Sequence, residues 1–503
     1  MIQQNILANV IGRACGVLSV YLFVPLYLKF LGIEAYGLVG FYSTLVGVLS
    51  FADMGFTATL NREMARLSAR DDNAKDRADL VRTYESAYLG LCLVIVIALW
   101  ALAPLIANHW LRSQRLRPAE LTSAIRLMGV AIAFQMPAGL YIGGLMGLER
   151  QVRVNLLQIA WGAFKGLGAL LVLWLFSPTI VAFALWQAIS NIAYCLSARF
   201  TLWRAVLDGS TQIRPRFAWK AMTNTWRYAA GMAALAIVSA LLTQTDKLAV
   251  SKMLPLEMLG YYSIAAALAT VPSTLAGPIA TAVFPRLTAL VTLEDRGALT
   301  RLYHRTCELV AVVTIPAALT TAMFAGDLLV AWTGSTITTE RAGVAASLLL
   351  LGQLIQATAV VPFYLALASN SVKLNLEVGI ASVIIITPLL FYLVSKYGIV
   401  GAGLSWLVMN LCSAPPCLYV LHRRFLPGEL QTWLTRDIGR PLLAALPGVL
   451  LCRWLFHTPS SRLLIFGIVA IAWGLSATGT VLVSTEVRSL WNLKLKPLLC
   501  SVL

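Results

Sequence analysis

The feature that most constrains this chain is the recurrence of apolar runs about 20 residues long. They fall near 6–29, 36–57, 84–108, 122–147, 154–176, 180–200, 228–250, 259–284, 306–332, 343–369, 377–395, 399–421, 441–457 and 463–483. Each is long enough to cross the hydrocarbon core of a bilayer as a helix. Barrel strands instead alternate over about 10 residues, so a porin-like barrel is excluded. The expected fold is an all-α polytopic membrane protein with about 14 transmembrane helices. Pro441, Pro447 and Arg453 interrupt the thirteenth run and make it the least regular. Only 12% of the 503 residues are charged, against roughly 25% in a soluble chain, which leaves no room for a large soluble domain.

The net charge of +17 has a membrane explanation. Lys and Arg gather in alternate loops, as they do on the cytoplasmic side of membrane proteins. No basic stretch is interleaved with aromatics, so nucleic acid is not an expected partner. With a cytoplasmic N-terminus, that side receives Arg62, Arg66, Arg70, Lys75, Arg77 and Arg82, and later Arg150, Arg153, Arg199, Arg204, Arg286 and Arg423. Both termini are thus expected in the cytoplasm. Arg112, Arg115 and Arg117 run against the rule, and read either as an anion contact or as a tolerated exception. No Lys or Arg precedes the first run and no small-residue cleavage site follows it, so it reads as a retained helix.

Catalytic signatures are missing. The sequence has no P-loop, HExxH or GxSxG motif, the eight cysteines lie mostly inside apolar runs, and the four histidines are scattered. Neither a metal site nor ATP-driven transport is expected. The external loops reach only about 15 residues. A membrane polymerase or ligase acting on glycans would call for a larger one.

An internal repeat organises the rest. Leu31-Gly-Ile-Glu-Ala-Tyr-Gly-Leu-Val-Gly40 returns loosely as Leu254-Pro-Leu-Glu-Met-Leu-Gly-Tyr-Tyr-Ser263. Each copy links an apolar run ending in Lys29 or Lys252 to the next run. The expected organisation is two six-helix bundles with a pseudo-twofold repeat, 1–205 and 228–425. A cytoplasmic linker, 206–227, would separate them, and 426–503 would add a helix pair and a cytoplasmic tail. Repeats of this kind characterise alternating-access transporters, with the substrate between the halves.

Polar residues inside the runs mark candidate sites. Helical spacing places Asn5, Asn9 and Arg13 on one face, and Ser43, Ser50, Asp53 and Thr57 on another. Gln158, Trp161 and Lys165 share a face, as do Gln187 and Asn191; Ser239, Thr243, Asp246 and Lys247 form a stripe. Uncharged members of such stripes commonly bond across packed helices. A charge at a helix centre costs about 2.5–3.5 kcal/mol by insertion scales, and so usually faces a bundle interior or a wet cavity. Arg13 and Lys165 lie deepest and are the expected cavity cations. Asp53 and Asp246 lie near helix ends and are candidate gating groups, Asp53 beside Arg62. Arg453 reads as a residue that snorkels to the interface. Excess cation implies an anionic ligand, and Arg suits phosphate. Trp161 beside Lys165 offers a sugar ring an aromatic face, although aromatic core packing is the commoner explanation.

At the opening hairpin these residues meet a family pattern. Asn9, Gly12-Arg13, Pro25-Leu26, Leu31-Gly32-x-Glu34-x-Tyr36-Gly37, Asp53-x-Gly55 and Arg62-Glu63 resemble the start of polysaccharide-repeat-unit flippases. That family includes the O-antigen and exopolysaccharide transporters of the multidrug/oligosaccharidyl-lipid/polysaccharide exporter superfamily. Thr245-Asp246-Lys247, Leu259-Gly260-Tyr261-Tyr262-Ser263 and Phe284-Pro285-Arg286-Leu287 resemble the matching stretch of its second half. The resemblance implies movement of a polyisoprenyl-diphosphate-linked oligosaccharide between leaflets of a bacterial cytoplasmic (inner) membrane. It implies coupling to a proton or sodium gradient, no other cofactor, and a polysaccharide polymerase or chain-length proteins as partners. Asn9, Arg13, Gln158, Trp161 and Lys165 would then bind substrate, and Asp53, Arg62, Asp246 and Lys247 would couple or gate. The alternatives are a cation-coupled multidrug exporter or peptidoglycan lipid-precursor flippase of the same superfamily, and a membrane polysaccharide polymerase or ligase. An exporter of organic cations calls for acidic cavity residues, whereas Arg13 and Lys165 are basic.

Overall fold

The computed structural model describes residues 2–68, 74–207, 215–369, 372–456 and 461–485; the side chains of 2–18, 20, 220–222, 224–228, 235 and 372–376 fall outside that description. Among the described residues the regular structure is helical, apart from an isolated bridge between Arg112 and Pro255. Twelve of the described helices are long and apolar enough to cross a membrane. Two of the longest are broken by a glycine in a left-handed or related conformation: Ile2–Leu49 at Gly32 (φ 77°) and Val372–Phe425 at Gly398 (φ 59°). A side chain is disfavoured in that region, which is why the break falls on glycine. Each half of the two broken helices holds one apolar run, so the fourteen runs and the twelve helices agree. The polytopic all-α expectation holds.

By internal contacts the chain forms two units, Met1–Gly260 and Tyr261–Leu503. The first opens with α1 (Ile2–Leu49), a 3-10 turn at Ser50–Asp53 and the short amphipathic α2 (Phe56–Ser68). The next helix, α3 (Ala74–Leu105), reaches Pro104 and loosens into a π-helical turn, Ile106–Trp110. Proline removes one helical donor and crowds the preceding turn, a cause of such loosening. Then come α4 (Pro118–Gly147), α5 (Gln151–Leu175), α6 (Ile180–Leu207) and α7 (Trp219–Met253), and the unit ends at Gly260 within α8 (Leu256–Ala269). Pro118 opens α4 where its missing N–H costs nothing, and Glu120 accepts from the Arg117 amide at 3.3 Å. This helix is well enclosed, burying Leu121, Ile125, Met128, Ile132 and Leu145. Leu89, Leu93 and Ile97 of α3 and Leu156, Leu167 and Trp174 of α5 are instead exposed. So much outward apolar surface suits lipid, not water.

The two copies of the repeated motif touch. A Cβ on Gly37 would strike the Leu256 carbonyl, and a Cβ on Gly260 would strike the Ile33 carbonyl. Gly37 and Gly260 are the seventh residues of their copies, and Ile33 and Leu256 the third. The contact is therefore reciprocal, as a twofold relation between like surfaces requires.

The second unit holds α9 (Val271–Thr292), α10 (Arg296–Met323), α11 (Ala325–Thr333), α12 (Thr336–Thr358), α13 (Val360–Ala368) and α14 (Val372–Phe425). A one-turn α15 (Leu430–Thr432) and a π-helical turn (Trp433–Gly439) lead into α16 (Arg440–Leu455) and α17 (Arg462–Val483). At the centre, α10 packs Ala311, Ile315 and Ala318 against Ala445 and Val449 of α16 and Ala472 of α17. The irregular thirteenth run is a helix because Pro441 occupies its first turn. Arg453 does not snorkel freely: it pairs with Asp327 of α11 at 2.6 Å.

Candidate substrate and gating site

Trp161 and Lys165 lie one turn apart on α5, so they project from one face. The Lys165 Nζ stands 4.9 Å from the Trp161 ring centroid and 5.9 Å from that of Tyr42 on α1. Trp161 in turn stacks on Tyr194 of α6, with centroids 4.4 Å apart and planes 15° from parallel. Gln158 hydrogen-bonds the Tyr194 hydroxyl. The predicted trio is thus one continuous wall, to which the structure adds Tyr42 and Tyr194. No carboxylate among the described residues pairs with Lys165. Ring faces attract a cation by about 0.5–2 kcal/mol, which offsets only part of the lost hydration. The ammonium therefore keeps unspent affinity for an anion.

Behind this wall the Tyr42 hydroxyl donates to Gln135 Oε1 at 3.3 Å and accepts from Asn191 Nδ2 at 3.1 Å. Asn191 Nδ2 also donates to the Ala131 carbonyl at 3.1 Å. Gln187 and Asn191 are buried on the shared face their spacing predicts. Among the described residues, Gln187 Oε1, Asn191 Oδ1 and Trp161 Nε1 have no hydrogen-bond partner. Asn9 and Arg13 were predicted to join this site; their side chains lie outside the described residues.

Asp53 ends the 3-10 turn, where Met54 and Gly55 carry positive φ values of 49° and 69° and redirect the chain. Its carboxylate then accepts from Thr57 Oγ1 at 2.5 Å, from the Thr57 amide at 3.4 Å and from the Tyr88 hydroxyl. Asp53 is therefore bound to the start of α2, which it caps. Arg62 is exposed further along the same helix. On α7, Asp246 is buried and Lys247 donates to Gln244 Oε1 at 3.3 Å. The Gln244 side chain lies against Gly47 of α1.

Spacing along single helices misses several buried carboxylates, among them Glu85 and Glu34. Glu85, 2% exposed, sits near the start of the third apolar run and looks interfacial. In the fold it accepts from Arg199 Nε at 2.5 Å, Arg82 Nη1 at 3.1 Å and the Tyr141 hydroxyl at 2.8 Å. Its partners on α4 and α6 are far away in sequence, so spacing carries no signal. Glu34, read only as a turn residue, is also buried. It accepts from Ser113 Oγ at 2.7 Å and from the amides of Gln114 and Arg115 at 2.6 and 3.2 Å. The arginine-rich segment is thereby held by backbone capture, and Arg112 Nη1 donates to the Met253 carbonyl at 3.3 Å. Nearby, a cavity of about 410 Å³ is walled by Phe41, Leu105 and Leu248 and edged by His109 and Lys252.

Comparison with known proteins gives a consistent set of relatives. Residues 2–291 match a family model described as polysaccharide biosynthesis protein. A Shigella flexneri protein named "Putative O-antigen transporter" is 22% identical over 414 residues, covering 82% of this chain and 96% of its own length. The fold resembles that of the lipid II flippase MurJ in an inward closed conformation, with a TM-score of 0.73, 13% identity, and coverage of 95% of this chain and 97% of that one. It also resembles an inward-facing multidrug resistance MATE family transporter of the MOP superfamily, with a TM-score of 0.65, 13% identity, and coverage of 83% and 98%.

Proposed function

The chain belongs to the polysaccharide biosynthesis protein family, and from that premise we propose that it is a flippase for polyisoprenyl-diphosphate-linked oligosaccharide repeat units. It serves surface polysaccharide or O-antigen assembly in a bacterial cytoplasmic membrane, works by alternating access and is driven by a proton or sodium gradient. It is a transporter and not a polymerase or ligase, and both of its termini face the cytoplasm.

The observation that carries the reading is Lys165. An ammonium between two aromatic rings, with no carboxylate paired to it among the described residues, suits a diphosphate or an acidic sugar. It opposes a substrate that is an organic cation, which argues against the drug-exporter alternative. Trp161 and Gln158 supply an indole and an amide of the kind that bind sugars, and Asn9 and Arg13 complete the proposed substrate set. Asp53, Arg62, Asp246 and Lys247 remain the proposed coupling and gating group.

Deletion of the gene in its native host tests this reading. The expected result is loss of surface polysaccharide with lipid-linked repeat units accumulating in the inner leaflet. Normal surface polysaccharide without accumulation overturns it.

A further inference from the structure

A second polar cluster, unrelated to Lys165, lies in the second unit. His304 of α10 places Nδ1 2.5 Å from Asp437 Oδ2 and Nε2 3.1 Å from Glu429 Oε2. Asp437 belongs to the π-helical turn before α16 and is fully buried, while the Glu429 side chain is 33% exposed. Among the described residues, Asp437 Oδ1 has no hydrogen-bond partner.

Hydrogen-bond counting constrains the protonation of this cluster. An ionised carboxylate only accepts, and a neutral imidazole has a single N–H. Both contacts can be made at once only if the cluster holds one more proton than a neutral imidazole with two carboxylates. That proton sits on the second ring nitrogen or on one of the carboxyl groups. We propose that His304, Asp437 and Glu429 form a proton-binding site whose proton holds the 426–439 turn, and so the start of α16, against α10. When the proton leaves, a ring lone pair faces a carboxylate and one of the two contacts breaks. Glu429 is the surface end through which the proton exchanges with water, and Asp437 is the buried end.

The surrounding groups do not supply this proton's place. On α10 the nearby titratable groups are Tyr303, Cys307 and Glu308. Tyr303 Oη lies 3.0 Å from His422 Nε2 of α14, whose Nδ1 lies 2.8 Å from the Leu418 carbonyl. Glu308 accepts from the Thr485 amide at 2.7 Å, and Arg436 Nη2 donates to Thr485 Oγ1 at 2.8 Å. Tyr303, His422, Glu308 and Arg436 each have a partner outside the His304 pair, so the count at His304 stands by itself. π-helical turns recur at functional sites, which fits the position of Asp437.

Hydrogen exchange read by mass spectrometry on the full-length protein in lipid nanodiscs tests the proposal without reference to transport. Protection of the peptide covering 426–439 is measured between about pH 5 and pH 9 and corrected for the intrinsic exchange rate. The expected result is a fall in protection of about tenfold as pH rises, the loss of one charge-assisted hydrogen bond. Asp437→Asn needs no extra proton to pair with a neutral imidazole, so its protection should not change with pH; His304→Gln should also lose the step. Constant protection in the unaltered protein overturns the site, whether or not the variants fold. A step that persists in either folded variant overturns it as well. Failure of the flippase reading would leave this measurement unaffected.

Discussion

Gly37 and Gly260 stand at equivalent places in two copies of one motif, and each lies against the other copy's third backbone carbonyl. A short and imperfect sequence repeat is thus a physical contact. Glycine is required on both sides because any side chain would push the two backbones apart.

Gly37→Val and Gly260→Val should each destabilise the protein by about 1–3 kcal/mol through overpacking. Gly162→Ala is the control, because nothing lies within 4 Å of the Cβ it would add. Thermal unfolding of the purified protein should show two lowered midpoints and one unchanged.

Glu85 is the acceptor for two arginines and a tyrosine. Arg82 and Arg199 are each 46% exposed and can rehydrate, so their loss of a partner costs little. The Tyr141 hydroxyl is enclosed and would be left unpaired by Glu85→Ala, at a cost of about 1–3 kcal/mol. Glu85→Gln keeps an acceptor for Tyr141 and should lower the unfolding midpoint less. Equal losses for the two variants would contradict this ranking.

Much of this fold was legible because lipid imposes a length rule. Every apolar run became a helix or a helix pair, and the breaks fell on Gly32 and Gly398. The Gln158, Trp161 and Lys165 face was also legible, since one turn of one helix sets it. Tyr42 and Tyr194 were not, because their contacts to that face come from other helices. Glu85, Glu34 and the His304–Asp437 pair escaped for the same reason. Helical spacing reports neighbours on one helix, whereas a buried ion pair joins residues 114 or 133 positions apart.

Asp53 separates a structural role from a coupling role. Asp53→Ala removes the cap of α2 and should cost about 1 kcal/mol. Asp53→Asn keeps an acceptor for Thr57 and loses only the charge. Asp53→Asn should show near-normal stability and reduced transport, scored by unfolding midpoint and by surface polysaccharide. Full transport in that variant would leave Asp53 as a cap alone.

The aromatic wall should grade transport by ring type, because tryptophan offers a cation the best face. Trp161→Phe should reduce transport modestly and Trp161→Ala more, by about two- to tenfold if one such contact of about 0.5–1.4 kcal/mol is lost. Protein levels in the membrane, measured in parallel, should stay equal. Transport that does not distinguish the two variants would make Trp161 a packing residue.

The central claim is tested most directly in proteoliposomes holding the purified protein and a fluorescent polyisoprenyl-diphosphate oligosaccharide, with leaflet exchange read by quenching from outside. The unaltered protein should move the lipid when a proton or sodium gradient is imposed. Lys165→Ala, and Arg13→Ala with it, should insert normally and move the lipid much more slowly. No gradient-dependent movement by the unaltered protein, or full movement by the Lys165→Ala and Arg13→Ala double variant, would contradict it.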